Sequence, residues 1–471
     1  MAAPVLLWFR RDLRLADHPA LAAALATGGP VIPVFIHDAP EAVLGAAPRF
    51  RLGLALAAFQ AALERIGARL ILRQGPAAQV LDRLIAETGA RGVMWSRLYD
   101  PDSVARDTAI KADLTARGLT ATSHPGHVLF EPPRVLTGQG GAYQVFGAYW
   151  KAVRGRDVAA PLPAPGRWPA PEVWPDTDHL SDWNMDAAMN RAAPVLAARA
   201  RVGEAAARDR LADFVERDLS AYATARDFPA QDATSTLSEP LAWGEIAPAT
   251  IWHAAMAAMA QGNPGAEPFL RELAWRDFAH HLMFHRPGML TRNLRPDWEG
   301  FPWDTDATRP KIRAFRQGRT GYALVDAGMR EMWVTGRMHN RVRMVVASFL
   351  SKHLMADWRI GQGIFADMLT DWDPAANAMN WQWVAGSGAD AAPFFRIFNP
   401  LTQAEKFDPD GSYRRRWLAE GQGAPGADAL AYYDVIPRHW RLTARDTPPA
   451  PVVGHAEGRA RALAAWEAWR R

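Results

Sequence analysis

Two tryptophans one residue apart, Trp381 and Trp383, lie in the polar and aromatic stretch at 377–399 and could take part in redox chemistry. If this stretch is helical, two steps of about 100° place the indoles on roughly opposite sides. One ring can then face a buried cofactor while the other faces a substrate. Asn377 lies four residues before Trp381 and shares its face. An amide beside an oxidisable ring favours redox chemistry over hydrolysis, although ordinary core packing also explains such a pair.

A second group that could line a cavity is Glu272, Trp275 and Arg276, within helical periodicity at 269–284. Spacings of three and four residues place the three side chains on one helical face. A carboxylate and an indole in one cavity could recognise a nucleic-acid base. The alternative is an ordinary intrahelical ion pair between Glu272 and Arg276.

The segment at 336–350 also has helical periodicity, with Asn340 on one face and Arg343 on a neighbouring face. A buried Arg343 needs a carboxylate partner, which Asp371 or Asp373 could supply. No HxxxH or HExxH spacing surrounds these residues, so the sequence predicts no metal site there.

Residues 234–238, TSTLS, present four hydroxyls in five positions. Ser238 is followed by Glu-Pro, which fits the first turn of a helix because proline is tolerated there. Hydroxyls and free amides at such a position can bind a phosphate. A simple N-cap loop is the alternative interpretation.

The composition excludes several classes of chemistry. The 471 residues include no cysteine, which excludes disulfides, thiol catalysis, Cys-ligated zinc and iron–sulfur clusters. A chain beyond about 300 residues is expected to form two domains. No apolar run approaches the roughly 18 residues of a membrane span, so we expect a cytoplasmic protein.

The net charge is only +4, but it is unevenly distributed. Between Arg309 and Arg343 there are nine Arg or Lys residues and two acidic ones. A basic stretch interleaved with aromatic and polar residues favours binding to a phosphate backbone. The alternative is that the arginines reflect composition and solvated helix faces.

The first 130 residues alternate short apolar runs with helix-period segments, which predicts a parallel sheet with helices on both faces. The predicted strands are at 5–9, 31–36, 69–73 and 92–96, and the predicted helices are at 19–27, 48–66, 76–89 and 103–117. A Pro-rich connector is predicted at 131–200, followed by an all-α domain at 201–471 that ends in an amphipathic stretch near 455–470. No GxGxxG follows the first strand, so ordinary dinucleotide binding is not supported there.

Taken together, these segments resemble the photolyase and cryptochrome flavoproteins, and most closely the DNA photolyases that split cyclobutane pyrimidine dimers. The matching stretches occur in the family's order: LLWFRRDLRLADHPAL at 6–21, TSTLS at 234–238, RELAWRDF at 271–278, TGYALVDAGMR at 320–330, GRMHNRVRMVVASFLSK at 336–352 and NWQWVAGSGADAAPFFRIFNP at 380–400. The resemblance implies a light-dependent DNA repair enzyme with an α/β N-terminal domain and an all-α C-terminal FAD-binding domain.

The cofactor implied by the resemblance is a non-covalent FAD, folded into a U shape in the helical domain. Its phosphates would lie on Thr234, Ser235, Thr236, Leu237 and Ser238. Further residues implied around FAD are Tyr222, Glu272, Arg276, Asn340, Arg343, Asp371, Asp373 and Asn377, with Asn377 facing flavin N5. The implied reaction is light-driven electron transfer from reduced FAD to the lesion, followed by ring splitting and return of the electron.

The substrate implied by the resemblance is damaged DNA, bound by a monomer, with the dimer flipped into a pocket. Photolyases are among the enzymes that extrude a base, and a damaged pair is weakly stacked. The lesion pocket would be formed by Glu272, Trp275, Asn340, Met344 and Trp383, and the phosphate contacts by Arg226, Arg341 and Arg396.

Photoreduction in this family uses three tryptophans, which here would be Trp381 next to FAD, Trp358 in the middle and Trp303 at the surface, with Trp298 as a rival for the last place. Many relatives also carry an antenna chromophore. Four residues of the N-terminal domain are compatible with a deazaflavin-like antenna, while a folate between the domains is the alternative: Phe35, Asp38, Arg51 and Asp100.

Two other functions remain open on the sequence alone. A cryptochrome would keep the flavin and the tryptophan chain but signal through a partner and repair DNA poorly. A DNA-binding protein without a cofactor is a third hypothesis, which a stoichiometric flavin spectrum would exclude.

Overall fold

A computed structural model of the chain describes residues 3–38 and 43–470. The N-terminal part is a parallel five-stranded sheet, with strand order β3-β2-β1-β4-β5. The strands are β1 Val5–Phe9, β2 Val31–His37, β3 Ile71–Gln74, β4 Gly92–Ser96 and β5 Thr120–His124. Leu6 of the central strand pairs with Ile32 on one side and with Val93 on the other.

Four helices cover the two faces of this sheet, as the alternating pattern predicts. Their bounds are α1 Pro19–Leu25, α2 Ala46–Glu64, α3 Ala77–Thr88 and α4 Pro101–Ala116. Because successive strand residues point to opposite faces, Leu7 and Phe9 pack with α1 and α2 while Leu6 and Trp8 pack with α3 and α4. The predicted α/β fold is confirmed.

The region at 131–200 contains more regular structure than we expect from its prolines. Two helices form there, α5 Phe146–Val153 and α6 Ala192–Ala197. Helix α5 packs on the helical region through its buried Phe146, Tyr149 and Trp150. The aromatic side chains of this short helix supply the buried contacts, so the prediction of an irregular connector is wrong at α5.

The helical region follows. Its helices are α7 Glu204–Asp213, α8 Tyr222–Ala225, α9 Ser238–Trp243, α10 Pro248–Ala260, α11 Ala266–His285, α12 Pro310–Arg316 and α13 Ala323–Thr335. They continue with α14 Asn340–Ser348, α15 Trp358–Met368, α16 Pro374–Ala385, α17 Pro400–Phe407, α18 Ser412–Trp417, α19 Ala427–Val435 and α20 His455–Trp469.

Helix α14 is shorter than predicted. It begins at Asn340, with His339 as its N-cap, and a π-helical turn follows at Phe349–His353. Of the helices in the described residues, none is long and apolar enough to cross a membrane.

Helix α16 lies between the two hydrophobic cores of the helical region. Ala378 and Met379 pack into the core that includes α10 and α11. Trp381 and Val384 pack into the core that includes α13, α14 and α15. Helix α16 therefore contributes side chains to both cores, and the partly buried Trp383 packs against the second of them.

Candidate functional site

The ends of α16 determine how its polar and aromatic residues are aligned. Asp373 caps the helix by accepting a hydrogen bond from the Ala376 amide at 2.8 Å, and Pro374 occupies the first turn. Gly386 ends the helix in the left-handed conformation, at φ 100°. With the helix in place, Trp381 is 2% exposed and Trp383 is half-buried, so the two indoles differ in burial, while their division between a cofactor side and a substrate side stays a prediction.

The buried side of α16 is tightly packed against α15. A β-carbon at Gly361 would lie only 2.0 Å from Cη2 of Trp381, so only glycine fits at this crossing. Phe365 meets the Trp381 ring edge-on, with centroids 5.0 Å apart. The Asn377 side-chain amide donates to the carbonyl oxygen of Gln362 at 3.0 Å, which fixes its orientation. The indole N–H of Trp381 has no hydrogen-bond partner in the described part of the chain.

The two acids before α16 take different partners. Asp371 binds the guanidinium of Arg343 at 2.9 Å, as the sequence suggested. Asp373 instead pairs with His280 at 3.0 Å, and both side chains are buried. Burial raises the pKa of Asp373, but the attraction of His280 and Arg276 outweighs burial and holds it well below its usual range.

His280, His127 and Asp373 form a buried cluster whose ligand-type atoms lie within 4.8 Å of one another. Such a group could hold a metal ion by composition alone. However, Arg276 donates to the His127 carbonyl oxygen at 2.7 Å, and its guanidinium lies 3.3 Å from His127 Nε2. A fixed positive charge at that distance opposes a cation, so the cluster favours an anionic or polar ligand group.

The loop at 234–238 is shaped by Arg210. Its guanidinium Nε donates to the Ser235 carbonyl oxygen and to Thr236 Oγ1, both at 2.9 Å, and Nη2 donates to the Thr234 carbonyl oxygen. In a trans peptide the N–H points opposite to the carbonyl, so the amides of Ser235 and Thr236 point away from Arg210. Thr236 has φ 50°, and helix α9 starts at Ser238. The outward amides of this loop are therefore available to bind an anion.

The residues predicted around a lesion lie on the more open side of the helices. Glu272 pairs with Arg226 at 2.6 Å rather than with Arg276, so the intrahelical alternative is wrong. Arg226 also lies over the ring of Tyr222, at 5.3 Å. Trp275 is half-buried and stacks on Phe146 with ring centroids 3.8 Å apart and planes at 12°. One face of the indole is thereby covered and held in place.

The remaining lesion and phosphate residues also reach the surface. Asn340 and Arg396 are exposed, and Met344 is half-buried. Arg341 is held by Asp227 at 2.6 Å and lies over the Phe407 ring, at 4.4 Å.

The three tryptophans of the predicted electron chain are all buried, which corrects one prediction. Trp358 is inaccessible and donates to Asn293 Oδ1 at 2.9 Å. Trp303 is 8% exposed and donates to the Ser351 carbonyl oxygen, so its predicted place at the surface is wrong. Phe301 and Trp298 cover it, with centroids 4.6 and 5.6 Å away. The half-buried Trp469 then lies 4.7 Å from Trp298.

The four residues predicted for an antenna do not form one open site. Arg51 is inaccessible because Glu239 and Glu245 bind its guanidinium across the boundary between the sheet and the helical region. Phe35 is 1% exposed and belongs to the core under the sheet, so neither residue lines a crevice as predicted. Asp38 is buried beside Arg106, at 3.2 Å, and Asp100 caps α4 by accepting from the Ser103 amide at 2.9 Å.

Several residues of the site were missed by the sequence reasoning. Phe146 comes from the connector that we expected to be irregular, and His127 follows the last element predicted in the N-terminal region. His280 and Gln362 gain their roles only through contacts between distant segments. A helical-wheel reading of α11 could have found His280, because it lies four residues after Arg276. The sequence contains no comparable signal for Arg210.

The residues in place fit FAD on physical grounds. A dinucleotide needs an anion cradle for its phosphates, which the 234–238 loop provides. It also needs buried polar groups that await a partner, and the buried indole N–H of Trp381 and Nδ1 of His280 are such groups within the described residues.

Comparisons with known proteins point to one family. Residues 269–468 match the FAD binding domain of DNA photolyase, and residues 5–166 match the DNA photolyase family. A deoxyribodipyrimidine photo-lyase of Agrobacterium fabrum is 45% identical and covers 99% of this chain and 98% of its own length. Cryptochrome-2 of Arabidopsis thaliana is 35% identical over 89% of this chain and 71% of its own length.

A solved structure agrees with these relatives. The crystal structure of a bacterial class III photolyase from Agrobacterium tumefaciens superposes with a TM-score of 0.91, at 45% identity, over 100% of this chain and 98% of that chain. This match and the relatives span both the sheet and the helical region. The chain belongs to the DNA photolyase family.

Proposed function

We propose that this chain is a light-dependent enzyme that splits cyclobutane pyrimidine dimers in DNA. The observation that carries the proposal is the difference in burial along helix α16, in which a buried Trp381 and a half-buried Trp383 lie two residues apart. A cofactor on the buried side and a flipped dimer on the open side would then be separated by about one helix diameter, roughly 10 Å.

FAD, when bound, supplies the absorption of light and the electron for the reaction. The chain holds and orients it: the amides and hydroxyls of 234–238 bind its phosphates, and Tyr222 and Arg276 lie nearby. The Arg343–Asp371 pair and the Asn377 amide border the flavin. Asn377 is suited to this place because its amide is neutral and is already fixed by the Gln362 carbonyl oxygen.

The open side of the site binds the dimer. Trp275, backed by Phe146, and Trp383 provide aromatic surfaces on which flipped bases can stack, each worth about 1 to 3 kcal/mol. Glu272 and Asn340 offer polar groups to the base edges, and Met344 fills the space between them.

The phosphates on either side of the dimer are bound by Arg226, Arg341 and Arg396. Arg226 and Arg341 are paired with Glu272 and Asp227 in this structure, so contact with DNA requires those ion pairs to be shared or exchanged. Arg396 is exposed, whereas Arg226 and Arg341 are half-buried. We therefore expect Arg396 to contribute most to the salt dependence of binding.

Photoreduction is the role we propose for Trp381, Trp358 and Trp303. Because Trp303 is covered by Trp298, the outer end of the chain lies in the Trp298–Trp469 pair rather than at Trp303 itself.

The direct test is illumination of the flavin-loaded, chemically reduced protein with an oligonucleotide that contains thymine dimers. Recovery of thymine absorbance under blue light supports the proposal. No recovery under saturating light would reject it.

A cryptochrome-type photoreceptor is the second candidate, favoured by the 35% identity to Cryptochrome-2 of Arabidopsis thaliana. This hypothesis predicts the same flavin but weak repair, although Glu272 and Trp275 would still be present to bind a dimer. The turnover number for dimers in the illumination test separates the two candidates.

Three further predictions concern a second chromophore, the location of the protein and its oligomeric state. A second, antenna chromophore, either a deazaflavin or a folate, would extend the range of light that drives repair. The protein would act in the cytoplasm and as a monomer. Identification of released chromophores by mass, and the mass of the purified protein in solution, test the first and the last.

A further inference from the structure

A buried lysine that binds the segment carrying Arg396 has no role in the function described so far. Lys352 is 1% exposed. Its ammonium donates to the carbonyl oxygen of Arg396 at 3.0 Å and lies 5.3 Å from the centre of the Phe394 ring. Neither group carries a negative charge, and burial, reinforced by Arg396, lowers the pKa of Lys352 to about 7. Burial of an ammonium without a carboxylate is unfavourable, so stability does not explain this residue.

Lys352 continues a row of residues along α14 and the π-helical turn that follows it. Asn340, Met344 and Ser348 occur at spacings of four in α14, and Lys352 follows Ser348 by four residues in the π-helical turn, so neighbouring members of the row lie near one another. The first two belong to the proposed lesion pocket. The last two bind the backbone of another segment, since Ser348 Oγ accepts from the Phe398 amide at 3.2 Å and Lys352 donates to Arg396.

This other segment, at 394–398, carries large exposed groups. Phe395 is 56% exposed, and the Arg396 side chain also reaches solvent. By contrast, Phe394 is 3% exposed and lies under the Lys352 ammonium. The segment is therefore fixed by its backbone and by Phe394, while its neighbouring side chains point outward.

The chain that leads to 394–398 is held to the lesion pocket as well. The carbonyl oxygen of Gln382 accepts hydrogen bonds from the amides of Gly386, Ser387 and Gly388. Asp390 Oδ2 accepts from the amide of Phe146 at 3.1 Å, and Phe146 is the ring that backs Trp275. Lys352 and Ser348 hold the far end of a loop whose near end is already fixed.

We propose that Lys352 is a positioning residue for DNA binding, which holds the backbone of Arg396 so that its guanidinium meets the phosphate next to the flipped dimer. The inference rests on the proposed function, because it takes Arg396 as a phosphate contact. A loop fixed before binding loses less conformational entropy when DNA arrives, so Lys352 acts on affinity and not on the chemical step.

The test compares Lys352→Met with Lys111→Met in the flavin-loaded protein. Both variants replace a lysine by the same apolar side chain, but Lys111 is exposed on α4 of the N-terminal domain. The dissociation constant for a dimer-containing oligonucleotide is measured over a series of salt concentrations. For Lys352→Met we expect affinity to fall about tenfold and the logarithmic salt slope to fall by about 0.9, the value of one phosphate contact. Lys111→Met should keep both values, and repair per photon of the bound complex should be unchanged in both variants.

A double-mutant cycle with Arg396→Gln shows whether Lys352 acts through Arg396. In the Arg396→Gln background, Lys352→Met should cause no further loss of affinity, because the contact is already absent. Lys352→Arg, which keeps a cation and a donor, should recover part of the affinity. Unchanged affinity of Lys352→Met, or losses that simply add to those of Arg396→Gln, would overturn the inference.

A second variant tests the proposal independently, in case Lys352→Met does not fold. Ser348→Ala removes the other hydrogen bond to the segment, so it should lower affinity in the same direction and by a smaller factor. Wild-type affinity in Ser348→Ala would contradict the proposed role of the row. Failure of the wild-type protein to bind or repair dimers would instead reject the proposed function itself.

Discussion

The two sides of helix α16 differ in how completely the protein fills the space around them. On the buried side, Trp381 contacts the backbone of Gly361 and the edge of Phe365, and Asn377 is held by the Gln362 carbonyl oxygen. Trp383 is only half-buried, and its carbonyl oxygen accepts from the Ala392 amide in the loop that leads to the exposed Arg396. The site that we propose holds a cofactor rigidly and admits a large substrate, so it needs both surroundings, and α16 carries one fully buried and one half-buried indole.

Gly361→Ala is expected to have the largest effect, because it attacks the buried side directly. The new methyl group would overlap the Trp381 ring, which must move together with the residues packed against it. We expect the free energy of unfolding to fall by about 3 kcal/mol and the flavin content of the purified protein to fall with it. Denaturant titration and the flavin-to-protein absorbance ratio measure the two effects.

The matched control is Gly363→Ala on the same helix, α15. A methyl group there meets no atom within 4 Å, and alanine favours the helix, so stability should be unchanged or rise by about 0.5 to 1 kcal/mol. Equal destabilisation by the two substitutions would mean that the contact with Trp381 is not the reason for a glycine at 361.

Trp381→Phe tests the redox role of the buried side without emptying it. We expect most of the photoreduction to be lost, because phenylalanine is far harder to oxidise than tryptophan. Repair by chemically reduced protein should be nearly intact, since the substrate side is unaltered. Flavin absorbance recorded after timed periods of illumination gives the rate of photoreduction, and thymine absorbance gives the rate of repair. Equal loss of both activities would contradict the assignment.

Trp383→Ala tests the open side. Loss of one stacking surface should weaken binding of a dimer-containing oligonucleotide by about 1 to 3 kcal/mol, or roughly 5- to 150-fold, with flavin content and photoreduction retained. Trp381→Phe on the same helix is the control and should bind DNA normally. If Trp383→Ala loses its flavin instead, the two sides are not separate in function.

Acidification should lower the stability of the protein through His339, the N-cap of α14. Burial, together with the charges of Arg343 and Arg341, lowers the pKa of His339 to about 4. An unfolded histidine titrates near 6.5, so the unfolded state binds more protons between pH 4 and 6.5. The free energy of unfolding should therefore fall as the pH is lowered through that window.

His339→Asn isolates this contribution, because asparagine keeps an N-cap acceptor for the Arg341 amide. We expect the variant to lose less stability than the wild type between pH 6.5 and 4, by about 1 to 2 kcal/mol. His439→Asn, at an exposed position, is the control. Identical pH dependence of wild type and His339→Asn would show that other groups cause the acid sensitivity.

The spacing of apolar residues along the sequence predicted those helices and strands that are largely buried. The apolar run VLLWF matches β1 to the residue, and the stretch with Trp381 and Trp383 is helical, as the interpretation of the tryptophan pair required. Strand β5 was missed because TATSH has the polar composition of an edge strand rather than the apolar run of a central one. Local pattern is weakest where burial is incomplete.

Contacts between distant segments could not be read from the sequence. The pairing of Asp373 with His280 depends on how α11 and α16 cross, and that of Arg51 with Glu239 and Glu245 depends on how the sheet and the helices meet. Both Asp371 and Asp373 were available to Arg343, and spacing alone could not choose between them. The resemblance to a family predicts which residues belong to the site, whereas packing determines which side chains those residues contact.

The most direct test of the account is repair by reduced, flavin-loaded protein in single flashes of blue light, with wild type, Trp381→Phe and Trp383→Ala at dimer concentrations below saturation. The account predicts recovery of thymine absorbance with wild type and Trp381→Phe, and much weaker recovery with Trp383→Ala. No recovery with any of the three, or equal recovery with all of them, would contradict it.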